Sequence, residues 1–135
     1  MAASSRVCGE QAKATSVSTP VQNASVYPSL ASTYAGTIYD NLTTQHTALC
    51  LMHIQQQEGK FRGTLQGLGL VGTFQGTVNT DGILSFTMLL YSGSEKLVCT
   101  GTIKVAGDIT GTFEVLDRQG NFTGESGIWN ASVYR

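Results

Sequence analysis

A Gly-Thr step recurs at Gly36, Gly63, Gly72, Gly76, Gly101 and Gly111, each time inside an alternating run and followed by an apolar residue. Residues 99–113, CTGTIKVAGDITGTF, carry two such steps joined by a turn containing Ala106, Gly107 and Asp108. Glycine inside a strand destabilises it by roughly 0.5–1 kcal/mol relative to alanine, so its repetition needs an offsetting gain. Side chains two apart share one face of a strand. Phe61, Gly63 and Leu65 therefore fall together, as do Leu70, Gly72, Phe74, Gly76 and Val78, then Cys99, Gly101 and Ile103, then Ile109, Gly111 and Phe113. Glycine lies on the apolar face, and threonine on the other, where a β-branched hydroxyl suits a pleated surface. Inward glycines fit a sheet that curls tightly or is approached closely by another group, and a closed barrel meets both conditions.

Further runs of the same kind are broken at Gly59, Gly82, Gly93, Gly107 and Gly120, near the 8–12-residue beat of all-β domains. Eight strands fit, at 34–39, 47–55, 60–66, 71–78, 83–91, 96–105, 108–115 and 125–133. The links are short, so neighbours pair as antiparallel hairpins, with NTDG before Ile83 and AGD after Val105 as the clearest turns. The expected fold is an all-β, eight-stranded antiparallel up-and-down β-barrel over residues 34–135. Its interior is either filled by side chains or holds one small ligand. Residues 1–33, rich in alanine, serine and threonine and carrying Pro20 and Pro28, read as a disordered or extended linker or tail. A chain of 135 residues fits this single domain.

A net charge of −1 with 13% charged residues removes nucleic acid and anionic membranes from the expected partners. No apolar run reaches the roughly 18 residues of a membrane span, and MAASSRVCGEQ holds no apolar signal segment. A soluble chain with no membrane insertion is expected, either cytoplasmic or the detached end of something longer. Cys8, Cys50 and Cys99 lack C-x-x-C spacing. Cys50 and Cys99 fall on the second and sixth strands, too far apart for the Cα separation of about 7 Å that a bridge tolerates, and are expected to stay reduced. Asn-x-Ser/Thr triplets begin at Asn23, Asn41, Asn121 and Asn130; they mark glycosylation sites or follow from serine and threonine abundance.

His46 and His53, seven apart, face opposite ways unless a bulge intervenes, and Asp40, Asp81, Asp108 and Asp117 lie near separate turns, so no metal site is expected. Ser85, His53 and a turn aspartate lack the strand-turn-helix context of a nucleophile. Glu114 is on the threonine face, and no carboxylate pair falls on the apolar faces. A non-catalytic chain without a cofactor is the expectation. The apolar set Tyr34, Phe61, Phe74, Leu84, Phe86, Met88, Phe113 and Trp129 would fill the barrel as core or line a site for a small apolar molecule. The fifth strand is apolar on both faces, so Leu89 and Tyr91 point outward as a partner surface, with self-association included, unless the tail covers them.

The stretch YPSLASTYAGTIYDN, the IQQQEG after the second strand, the repeated Gly-Thr units and the closing GIWNASV resemble the extracytoplasmic C-terminal domains of some bacterial transmembrane serine/threonine kinases and related surface proteins. The resemblance covers residues 27–135. It implies a small β-barrel reached through an alanine- and threonine-rich linker, acting outside the membrane as a sensor or binding module. In shape the barrel is also similar to the lipocalin and avidin group, which implies a small ligand by analogy. With Trp129 as the one tryptophan, biotin is not the expected ligand. Three functions stay open: a non-enzymatic sensing or binding module, a structural or assembly module acting through its outer surface, and a barrel isomerase or cyclase, which would need a polar group pointing inward.

Overall fold

Eight strands follow one another in the computed structural model, which describes residues 26–67, 69–91, 93, 95–104 and 107–134. They are β1 (Tyr34–Asp40), β2 (Gln45–Gln57), β3 (Lys60–Gly67), β4 (Leu70–Val78), β5 (Ile83–Leu90), β6 (Lys96–Ile103), β7 (Ile109–Leu116) and β8 (Phe122–Val133). Each pairs antiparallel with its neighbours in the chain, and β1 pairs with β8 from Tyr34↔Val133 to Asp40↔Gly127, which closes the barrel. The up-and-down architecture expected from the glycine pattern is the one observed. Strand limits differ at the ends, because ladder pairing continues past the apolar alternation: β2 extends both ways, β8 begins at Phe122, and Tyr91 starts a turn. Val105 and Ala106, read as the end of the sixth strand and part of its turn, lie outside the described residues, as do residues 1–25 with Cys8, Pro20 and Asn23.

Cross-strand register accounts for the glycines. Gly63 stands opposite Phe74, Gly76 between Phe61 and Phe86, Gly111 opposite Trp129, and Gly127 opposite Phe113. A methyl group at Gly63 would lie 2.7 Å from Phe74 Cζ, one at Gly101 2.7 Å from Trp129 Cζ2, and one at Gly127 2.6 Å from Phe113 Cε1. The rings occupy the space the glycines leave. Fully burying a large apolar side chain contributes about 1.5–3 kcal/mol, more than the cost of one strand glycine.

At the centre, Phe61, Phe74 and Phe86 meet with ring centroids 5.7–6.1 Å apart, and Phe86 meets Trp129 at 5.4 Å, edge to face. The Trp129 Nε1–H donates to the carbonyl oxygens of Thr100 and Thr112, each at 3.2 Å. Those carbonyls flank the paired glycines Gly101 and Gly111, whose missing side chains let the indole reach the backbone of β6 and β7. A buried indole N–H is thereby satisfied, which removes the penalty of an unmade hydrogen bond.

The hairpin turn before β5 forms as its residues require: Asn79 Oδ1 accepts from the N–H groups of Asp81 and Ile83, and Gly82 takes φ 84°. The links β2–β3, β4–β5 and β6–β7 define one end of the barrel, here the lower end. Residues 26–33 lie against it. Ile54 N–H donates to Ser32 O, Gln56 Nε2–H donates to Pro28 O, and Leu30 N–H donates to Gln56 Oε1. Leu30 and Ala31 pack on the core. This part of the segment read as linker is thus extended and docked.

One expectation is corrected. Cys50 is disulfide-bonded, whereas Cys99 is free and buried. Cys50 on β2 and Cys99 on β6 are not joined to each other, as expected, but Cys50 is not reduced. Burial pushes the Cys99 thiol up to about 12.

Candidate functional site

The eight residues expected to fill or line the interior converge there: Tyr34, Phe61, Phe74, Leu84, Phe86, Met88, Phe113 and Trp129 all belong to one buried cluster. Their polar atoms are engaged. Besides the indole N–H, the Tyr34 hydroxyl oxygen accepts from Ala31 N–H at 2.9 Å, and burial raises its pKa. Thr47 on β2 keeps a buried hydroxyl without a hydrogen-bond partner.

Concave surface lies instead on the outside, over β2 to β5. A bulge between Met52 and Gln55 shifts the register of β2 against β3, and His53 within it has φ 54°, uncommon for a residue other than glycine. The bulge answers the question left by the histidine spacing, since it breaks the strict alternation of β2. His53 Nδ1 and Thr64 Oγ1 are 2.8 Å apart. Below the bulge Gln55 pairs with Arg62, and its Oε1 accepts from both Arg62 Nε and Nη2 at 3.2 Å, which fixes the guanidinium against the sheet. A hollow of about 780 Å³ opens there, lined by Gln55, Gln57, Lys60, Arg62, Gln75 and Thr77 among others. It continues past Lys60 and Thr77 to Tyr27 and Asn79 at the lower rim, and past Arg62 and Gln75 to His53, Thr73 and Leu89, where it borders an apolar patch. The three hollows adjoin, the first sharing Lys60 and Thr77 with the second and Arg62 and Gln75 with the third, and together make up the groove over β2–β5.

Leu89 and Tyr91 point outward, 48% and 67% exposed, and Val71 and Val98 stand exposed beside them. Tyr91 N–H donates to Val71 O at 2.9 Å, and Val98 is opposite Thr87, two residues from Leu89. The upper outer face of β4–β6 is thus a small apolar patch.

A pair missed from sequence sits at the upper end. Asp40, 3% exposed at the close of β1, is opposite Gly127, and Glu125 lies two residues along β8 on the same face. Asp40 Oδ1 accepts from Leu42 N–H at 2.8 Å. A hydrogen bond to Asp40 pushes the Glu125 carboxyl up to about 7, helped by desolvation and by the negative charges of Asp40 and Glu95. Only the β1–β8 register reveals this approach of two residues far apart in the chain. Among the described residues no group of three or more His, Cys, Asp or Glu side chains is placed to hold a metal. Asn41, Asn121 and Asn130 are exposed, and Asn23 lies outside the described residues.

No protein-family model matches this chain. No curated protein matches it significantly.

Proposed function

We propose that this barrel is a non-enzymatic binding module working outside the cytoplasm, and that it meets its partner through the outer groove over β2–β5. The observation that carries this reading is the contrast between the interlocked rings inside and the open groove outside, where lysine, arginine, glutamine and threonine side chains stand among apolar surface. A small apolar molecule among the eight interior residues would have to part Phe61, Phe74 and Phe86, and their contacts argue for the outer surface first. The resemblance of residues 27–135 to extracytoplasmic barrel domains supports the setting outside the cytoplasm. Assembly through the patch at Leu89 and Tyr91 is the second reading, favoured by the exposure of those side chains.

Lysine acylation separates the two surfaces. Lys60 lines the groove, and Lys96 pairs with Leu89 beside the patch. Intact protein acylated with and without cell-surface extract should show protection at Lys60. Protection at Lys96 alone would move the working surface to the patch, and protection at neither would remove both. Native mass spectrometry supplies the interior test: a bound mass released on denaturation would place the ligand inside.

A further inference from the structure

The ligand class can be read from the groove, on the premise that the outer face is the working surface. From Thr73 to Asn79 the groove follows β4 for six residues, on the order of 20 Å at the usual strand rise. That length suits a chain rather than a compact molecule. Lys60 and Arg62 stand on one face of β3, roughly 7 Å apart at the same rise. Neither has a carboxylate partner among the described residues. Arg62 is oriented by Gln55 through Nε and Nη2, which leaves Nη1 uncommitted. Glu58 lines only the lower rim. Around the two cations the groove presents the amides of Gln55 and Gln75 and the hydroxyls of Thr77 and Thr87, groups that both donate and accept.

Other chain-like ligands fit less well. An extended peptide adding to a sheet needs a free edge, and every strand here has two partners. A single-stranded nucleic acid needs exposed rings on which successive bases stack, whereas Phe61 and Phe74 beside the groove are buried, and Tyr27 and His53 are the remaining rings along it. Lipid chains need a continuous apolar lining, which Lys60, Arg62 and the glutamines interrupt here. We infer that the groove binds an acidic polysaccharide, a hydroxyl-rich chain whose regularly spaced carboxylates or sulfates meet Lys60 and Arg62 while its hydroxyls meet the glutamines and threonines.

The test titrates the intact protein with an oligogalacturonate hexamer, a heparin-derived hexasaccharide and the neutral methyl ester of the first, read by amide NMR and calorimetry. Resonances of Gln55, Arg62, Gln75 and Thr77 should move with the carboxylate probe, the sulfate probe or both, and stay still with the ester. The probe that moves them identifies the anion. Arg62→Gln should weaken binding at least tenfold and Arg62→Lys less, whereas Lys104→Gln should leave it unchanged; affinity should fall as salt rises from about 50 to 200 mM. Equal affinity for ester and acid, or an Arg62→Gln variant that binds normally, would overturn the assignment. A response to a single-stranded oligonucleotide but to neither glycan, or Lys60 protection by extract without any glycan response, would overturn the glycan class and leave the outer-face reading standing. No glycan response together with no Lys60 protection would sink both.

Discussion

Along β3 and β4 the inward residues Phe61, Leu65 and Phe74 stand opposite glycines, whereas the outward residues Arg62, Thr64, Thr73, Gln75 and Thr77 stand in cross-strand rows on the outer face. The inner face has little freedom to change, since each ring occupies volume that a particular glycine vacates. The outer face tolerates substitution, because its side chains project into water. The comparison separates the two jobs of one sheet: the interior sets stability, and the exterior is where selection can shape recognition without unfolding the barrel.

The strongest way to break this contrast is Phe86→Ala. Phe86 touches Phe61, Phe74 and Trp129, and its loss should cost about 3–5 kcal/mol in urea denaturation. A loss below about 1 kcal/mol would mean that the rings do not interlock. Gly63→Ala should cost about 1–3 kcal/mol, because the new methyl meets Phe74 and the Met52 carbonyl, and adding Phe74→Leu should recover part of it in a double-mutant cycle. Additive effects would show that glycine and ring are not matched. Thr47→Val should gain about 1 kcal/mol by removing an unpartnered hydroxyl from the inner face. On the outer face, Leu89→Ser should change stability by no more than about 0.5 kcal/mol while weakening any self-association seen by sedimentation.

The upper rim sharpens the comparison through pH. Glu125 has an ordinary value of 4.5 and is raised to about 7 in the fold. Below the lower value both folded and unfolded chains hold the proton. As pH rises toward the upper value the unfolded chain releases it first, so the contribution to stability is fully present below about 4.5 and lost once pH passes about 7. Glu125→Gln should flatten the stability profile across that window; an unchanged profile would show that the two carboxyl groups do not share a proton.

The barrel was legible in the chain because two-residue periodicity and glycine placement act locally: Gly101 and Gly111 declare their face through neighbours two positions away. Asn79 and Gly82 likewise announced their turn. What was not legible depends on register or on contacts across long stretches of chain. Asp40 and Glu125 meet only because β1 and β8 close with one particular alignment. The bulge at His53 carries no glycine or proline to mark it, and Gln56 reaches Pro28 across 28 residues. The Cys50 bridge was missed by weighing its separation from Cys99 alone.

The seam between β1 and β8 has a consequence for synthesis. Asn130 Nδ2–H donates to Thr37 Oγ1 across 93 residues, and the seam's whole ladder joins comparably distant positions. On the ribosome, therefore, seven strands must wait with unsatisfied borders until β8 emerges, a slow, high-contact-order step during which the nascent sheet is exposed to aggregation. Chaperone demand and sensitivity to truncation should concentrate on this final strand.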